Sequence, residues 1–367
     1  MARFHLGQGV GEAARALASC LDELGPLPED ANIGFLYVTD PLAPRLQAIL
    51  EMLKVETGVS DWVGSVGHGI CATGNEYFGQ PAMAAMVGAV PAGSFTIFDS
   101  GVDGGFAGAP AWLEGHAHPF GLVHADPRNS QIPMLIPRLA EVTESFLVGG
   151  LSSGSGPFWQ IAGGLTQGGI SGAWFSEAVP VATGLTQGCV PIGPVHEVTE
   201  CRDNVIVLLG GRPALDVLKE DIGTALAEDL RQLGGVVFAA LPIAGSDRPD
   251  YLVRNLVAID PEEALVTIAA PLVAGQPLMF CRRDPQAAEA DLHRMLGDLG
   301  RRMGTAPRGA IYVSCLGRGP NMFGPDSVEL RIIAEALGDL PLVGFFGNGE
   351  ISHDRLYTYT GVLTIFL

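Results

Sequence analysis

Val63-Gly64-Ser65-Val66-Gly67-His68-Gly69-Ile70 and Val343-Gly344-Phe345-Phe346-Gly347-Asn348-Gly349-Glu350-Ile351 share the pattern V-G-x-x-G-[HN]-G. Each closes the same order of elements, an extended run, an amphipathic helix and a second extended run, so the likeness extends beyond seven letters. Upstream of the first copy, the β-rich run 33–39 meets Asp40-Pro41, a cap followed by a first-turn proline, and a helix with apolar face Leu42, Leu46, Ile49, Leu50 and Leu53. Upstream of the second, a strand over 310–315 precedes a helix capped near Asp326 and built on Val328, Ile332 and Leu337. A weaker echo lies at Val148-Gly149-Gly150-Leu151-Ser152-Ser153-Gly154. Chance recurrence in a chain with 50 glycines is the alternative to duplication. Duplication places equivalent strand ends near a pseudo-two-fold axis, at a cleft between domains where small-molecule pockets preferentially form.

Around these anchors, Ala14, Leu17, Ala18, Leu21 and Leu24 recur at helical spacing, giving a helix over 11–24 that stops at Gly25-Pro26. From about 94 to 272 the pattern is of short β-rich runs punctuated by glycine, at 94–98, 145–150, 169–176, 204–209, 236–243, 252–259 and 264–270. One clear helix interrupts them, opened by Arg212-Pro213 and carrying Leu215, Leu218, Ile222, Leu226 and Leu230. Asp284-Pro285 opens another, with Leu292, Met295, Leu296, Leu299 and Met303. The pair Gly164-Leu165-Thr166-Gln167-Gly168 and Gly184-Leu185-Thr186-Gln187-Gly188 reads as neighbouring strands or hairpin corners. The expected fold class is α/β (α+β), two pseudo-repeated domains with mixed, largely antiparallel sheets packed with helices, an αββα layering among the options. An N-terminal helix occupies 1–29, a first domain 30–212 and a second 213–367.

At 367 residues the chain is long enough for two cores. With 40 acidic against 21 basic residues the net charge is −19, which disfavours nucleic acid and anionic membranes as partners. No apolar stretch reaches the roughly 18 to 20 residues of a membrane helix, and no leader pattern opens the chain, so a cytoplasmic location is expected. Six dispersed cysteines without a C-x-x-C pair signal neither a zinc knuckle nor a disulfide framework.

Gln187-Gly188-Cys189-Val190-Pro191-Ile192-Gly193-Pro194, Val198-Thr199, Asn204 and Gly211-Arg212-Pro213-Ala214-Leu215 resemble the end of the N-terminal domain of the FIST (F-box and intracellular signal transduction) family. Cys315-Leu316-Gly317-Arg318-Gly319, the Gly344–Ile351 stretch and the Tyr/Thr-rich last strand resemble its C-terminal domain. The resemblance runs from about residue 30 to the end. It implies a sensory module that binds small ligands such as amino acids or their derivatives. It also implies an alternative, since some stand-alone bacterial members bind haem and sense nitric oxide through a partner histidine kinase. Nothing here resembles the kinase, cyclase or methyl-accepting segments of fused members, so output is expected through a partner.

The glycine corners at His68-Gly69 and Asn348-Gly349 offer backbone N–H groups to a carboxylate, and Glu350 an acceptor to an amine. Arg318, between two glycines, presents the fork that matches a carboxylate. Ser152 and Ser153 are candidate pocket hydroxyls, and Cys189, Asn255 and Cys315 complete the ligand-binding set. Gly150 to Gly154 fits G-x-S-x-G through Ser152, but Pro157 and further glycines follow where a hydrolase elbow needs a helix. A cysteine enzyme, third in rank, takes Cys315 as nucleophile with His68 or His353 as base. The haem alternative draws on His116, His118 and His124. No other cofactor and no metal is expected.

Overall fold

The computed structural model describes residues 3–101, 112–116, 119–243 and 250–367. They fall into two compact units, Met1–Gln187 with Glu289–Leu367, and Gly188–Ala288. The mixed α/β class is as expected. The units do not follow the two halves of the sequence. Residue 212 lies inside the second unit, where strand Val205–Leu209 turns at Gly210-Gly211 and pairs with Arg212–Pro213.

The first unit uses one motif three times. The first repeat contains β1 (His5–Val10), β2 (Ile33–Thr39), β3 (Trp62–Gly67), the hairpin β4 (Gly69–Ala72) and β5 (Asn75–Phe78), and β6 (Ala82–Gly88). The second contains β7 (Phe95–Asp99), β8 (Phe120–Ala125), β9 (Phe146–Leu151), the hairpin β10 (Gln160–Ala162) and β11 (Gly164–Thr166), and β12 (Ile170–Phe175). The third contains β13 (Val181–Gln187), β14 (Gly309–Cys315), β15 (Leu342–Gly347), the hairpin β16 (Glu350–His353) and β17 (Arg355–Tyr357), and β18 (Thr360–Phe366).

The sheets run β1-β6-β2-β3-β10-β11, β7-β12-β8-β9-β16-β17 and β13-β18-β14-β15-β4-β5. In each, the two central strands are parallel and the remaining pairs antiparallel. The hairpin of every repeat therefore joins another repeat's sheet. The echo at Val148 is thus a full structural equivalent, and the expected two-fold relation is a threefold one. It reads weakly because Ser152-Ser153 replaces the Gly-[HN] of the other corners, and a longer run separates it from its hairpin.

The shared glycine has a steric cause. Gly64, Gly149 and Gly344 lie opposite Leu36, Val123 and Tyr312 in the parallel pairs. A Cβ at these positions would stand 1.8, 1.8 and 1.7 Å from the carbonyl oxygens of those partners. The two G-L-T-Q-G stretches, read as neighbours, fall in β11 and β13, on different sheets, because one closes an exchanged hairpin and the other opens a repeat.

The three sheets turn their inner faces onto one core, with Phe35 and Tyr37 from the first, Leu122 and Phe175 from the second, and Val313, Phe345 and Phe366 from the third. Helices cover the outer faces. α1 (Ala13–Leu24) and α2 (Leu46–Thr57) bury Cys20, Leu24, Leu50 and Leu53 on the first sheet. α3 (Ile132–Thr143) buries Ile136 and Leu139 on the second. α4 (Pro285–Arg302) and α5 (Val328–Leu337) bury Met295, Leu299 and Ile333 on the third. Three helix-covered sheets around a common core replace an αββα sandwich.

The second unit is inserted between β13 and α4. Strands His196–Arg202, Val205–Leu209, Leu265–Ile268, Tyr251–Asp260, Val237–Pro242 and Pro277–Arg283 pair in that order, and the last returns to the first. This closed antiparallel barrel leaves few free edges. Helix Ala214–Ile222 buries Leu215 and Leu218 in its core.

Candidate functional site

The three corners meet in the first unit. Ser153 Oγ accepts the His68 N–H at 2.8 Å and donates to the Phe346 carbonyl, while Asn348 N donates to the Leu151 carbonyl at 3.0 Å. Ser65 and Ser152 share a hydroxyl hydrogen bond of 2.7 Å. What the corners enclose is protein. A Cβ on Gly67 would lie 2.5 Å from the Gly69 carbonyl oxygen, one on Gly69 2.3 Å from the Phe78 ring, and one on Gly150 2.7 Å from the Gly349 carbonyl oxygen. The expected hollow is therefore filled at this point, with the His68 ring turned out toward Asp40 at 3.3 Å and Asn348 exposed.

Unmet polar chemistry lies nearby, at the end of β14 and β15. Arg318 follows β14 and is 0% exposed, in an ion pair with Glu329 of α5. Its Nε donates to Glu329 Oε1 at 2.8 Å, and Nη2 stands 2.7 Å from the same oxygen. Glu329 also accepts from Tyr312 Oη (2.6 Å), Ser314 Oγ (3.2 Å) and Gly319 N (2.9 Å). That donor set consumes the carboxylate and leaves Arg318 Nη1 without a hydrogen-bond partner. Burial alone would lower the guanidinium pKa, but Glu329 and Tyr312 hold it above its ordinary value. The Phe323 ring lies 5.0 Å from the guanidinium.

Two carboxyls stand by. Glu76, on the hairpin contributed by the first repeat, has Oε2 buried without a partner, 3.2 Å from where a Cβ on Gly319 would sit. Burial and the neighbouring Glu329 raise its pKa to about 8. Glu350 opens β16 and is 0% exposed. Its Oε2 accepts from Thr360 N at 3.1 Å and Oγ1 at 2.8 Å, while Oε1 has no partner meeting hydrogen-bond geometry. Burial raises its pKa to about 8 against the opposing pull of Thr360 and Arg318. Cys315 packs beside it, and burial and Glu350 push its thiol pKa up, which keeps it protonated.

A carboxyl whose pKa is higher folded than unfolded holds its proton longer in the native state, so its contribution is full below about 4.5 and lost as pH rises through about 8. Urea midpoints should therefore fall between pH 6 and pH 9. Glu350→Gln is expected to flatten that decline, and an unchanged slope would remove the assignment.

Family models for the FIST N domain and the FIST C domain match residues 32–212 and 214–353. An uncharacterized protein of Mycobacterium tuberculosis (strain CDC 1551 / Oshkosh) is 31% identical over 97% of this chain and 96% of its own length. This chain belongs to the FIST family. An uncharacterized protein of Mycobacterium bovis is 29% identical over 97% of the chain and 95% of its own length. FIST domains are associated with sensing in signal transduction. Among the described residues of this FIST protein, no helix is long and apolar enough to cross a membrane.

The remaining candidates separate. Cys189 opens strand Cys189–Pro191 of the second unit, where its carbonyl accepts from Tyr251 Oη at 2.5 Å, and Asn255 lies within the barrel strand Tyr251–Asp260. His116 contacts Glu177 at 3.5 Å and packs on Trp112, and His118 lies outside the described residues. His124, read as part of a loop, is fully buried in β8, with Nε2 3.0 Å from Tyr37 Oη and its ring against Phe345. Burial lowers its pKa to about 3. The His124 Nε2 that would ligate an iron is engaged by Tyr37 Oη. Among the described residues no group of three or more His, Cys, Asp or Glu could hold a metal ion. Around Cys315 the FIST site offers carboxyl and backbone groups, whereas His68 faces Asp40 and His353 faces Asp354. A Cys–His pair is not assembled. After Ser152 the chain runs through Gly154 and Gly156-Pro157 without a helix, so the G-x-S-x-G elbow is absent.

Sequence reasoning missed Glu329, Glu76 and Thr360. Glu329 sits within Val328-Glu329-Leu330, and an acid there is the cue for a buried partner. Glu76 carried no such signal, because the exchange that brings β5 to α5 is a long-range event.

Proposed function

We propose that this FIST protein is a sensory receptor for a small polar ligand, an amino acid or close relative, held where Arg318, Glu350 and Glu76 meet the end of β14 and β15. One observation carries the reading. Arg318 Nη1, Glu350 Oε1 and Glu76 Oε2 are buried and lack a partner meeting hydrogen-bond geometry, with only the Cys315 thiol beside Glu350 and Tyr312 Oη beside Arg318, and they offer donors and acceptors together. Each such group costs about 1–3 kcal/mol when left unsatisfied, and a ligand bearing both a carboxylate and an amine supplies complementary atoms. On this reading residues 316–324 are the segment that opens, because Phe323 covers the guanidinium and the segment carries glycines at positive φ (Gly319 53°, Gly324 85°). A ligand that binds the opened segment better than the closed one shifts the balance between them.

Calorimetric titration and thermal shift against the amino acids and their keto-acid relatives test this. At least one is expected to bind with heat and raise Tm, and Glu350→Gln should weaken that binding about ten-fold or more. Absence of heat and of stabilisation across the series would end the proposal.

A further inference from the structure

The hairpin that carries Glu350 has a second end. At its turn, His353 and Asp354 line a cleft of about 500 Å³ together with Pro137, Ala140, Glu141, Glu144, Ser145 and Phe146. The cleft runs beside the C-terminal part of α3. Pro137, Ala140 and Phe146 (39% exposed) give it an apolar part, and outside the cleft Met134 (76%) and Val142 (42%) are exposed on α3 one turn to either side of Arg138. Its rim is acidic. Asp354 is met by Arg355 at 2.7 Å and His353 at 3.0 Å, whereas Glu141 and Glu144 have no ion-pair partner among the described residues. Glu144 is the left-handed cap that ends α3 (φ 48°) and His353 stands at the hairpin turn (φ 58°), so the cleft lies between two chain turns.

We propose that this cleft and the adjoining face of α3 dock a basic, amphipathic segment of a partner protein. The apolar stripe of such a segment covers Met134, Val142 and Phe146, and its Lys or Arg side chains pair with Glu141 and Glu144. Charge selects against the other occupants. A second copy of a chain with net charge −19 brings like charges together, and an anionic lipid surface meets the wrong sign. The position also suits output from the site described above, a link that rests on that reading while the docking itself does not. β16 pairs with β9 through Glu350↔Gly150 and His353↔Leu147, so one strand pair joins the buried carboxyl to the cleft at Phe146.

The test uses the full chain and a fluorescent 18-residue Lys/Leu amphipathic helix, with the Glu/Leu helix of the same pattern as control. Anisotropy at physiological salt should show binding of the basic peptide alone. Glu141→Arg/Glu144→Arg should weaken it about ten-fold or more, while Glu51→Arg/Glu56→Arg on α2, an identical change in net charge, should weaken it less than about two-fold. Thermal unfolding of both variants verifies that they fold. A photo-crosslinking version of the peptide should label residues 134–146 and 353–354. Equal loss in the two variants, crosslinks confined to other surfaces, or light scattering that shows the cleft occupied by a second copy would each overturn the proposal.

Discussion

Glu329→Ala is expected to lower the unfolding free energy by about 3–5 kcal/mol, the range for removing one member of a buried ion pair. The loss should lie in the upper part of that range because Tyr312 Oη, Ser314 Oγ and Gly319 N lose their acceptor at the same time. Arg318 is then a fully buried cation beside Glu76 and Glu350, two carboxyls that burial favours in the neutral form. Two responses are open to it. Either the 316–324 segment opens to hydrate the guanidinium, or one of these carboxyls ionises to replace Glu329. Urea unfolding measures the cost, and proteolysis at 316–324 separates the two responses. Arg318→Met combined with Glu329→Leu should recover most of the loss, since a buried pair replaced by apolar side chains is often neutral. A single variant within about 1 kcal/mol of the parent would show that the network holds nothing together.

Gly344→Ala, Gly64→Ala and Gly149→Ala should be among the most damaging of the glycine substitutions. In each, the new methyl would sit 1.7–1.8 Å from a backbone carbonyl oxygen of the parallel partner strand. No side-chain rotation relieves such a contact, so the central strands must separate. That breaks ladder hydrogen bonds in the middle of a sheet, at a cost of several times the roughly 1 kcal/mol of an ordinary substitution. Gly304→Ala is the control, because a Cβ there meets nothing within 4 Å. Equal Tm values for Gly344→Ala and Gly304→Ala would contradict the packing described.

Local signals located the elements that obey them. The strand at 33–39 and the helix from Pro285 lie where periodicity and capping put them, since each is written in adjacent residues. α3 was missed because Pro133 and Pro137 break the pattern that marks a helix. Pro133 falls in the first turn, where its missing N–H costs nothing, and Pro137 is tolerated because Ile132, Ile136 and Leu139 still reach the core. The corner glycines were legible as a repeat, but the filling of the cleft expected between them was not, since Val313 and Phe345 reach Gly150 from another sheet. Arg318 and Glu350 were legible as charged residues beside glycines. Their partners Glu329, Tyr312 and Thr360 became visible only when α5, β14 and β18 were packed together.

The hairpin exchange has a direction. The first repeat hands its hairpin to the third, the third to the second, and the second to the first. The circuit closes, so each repeat on its own lacks an edge that only a sibling can supply. A single repeat released as a peptide would find its missing strands in two more copies of itself, and the unit is in this sense a trimer written along one polypeptide. Deleting any one member should therefore unravel the other two as well, and the ring should melt as a single cooperative body.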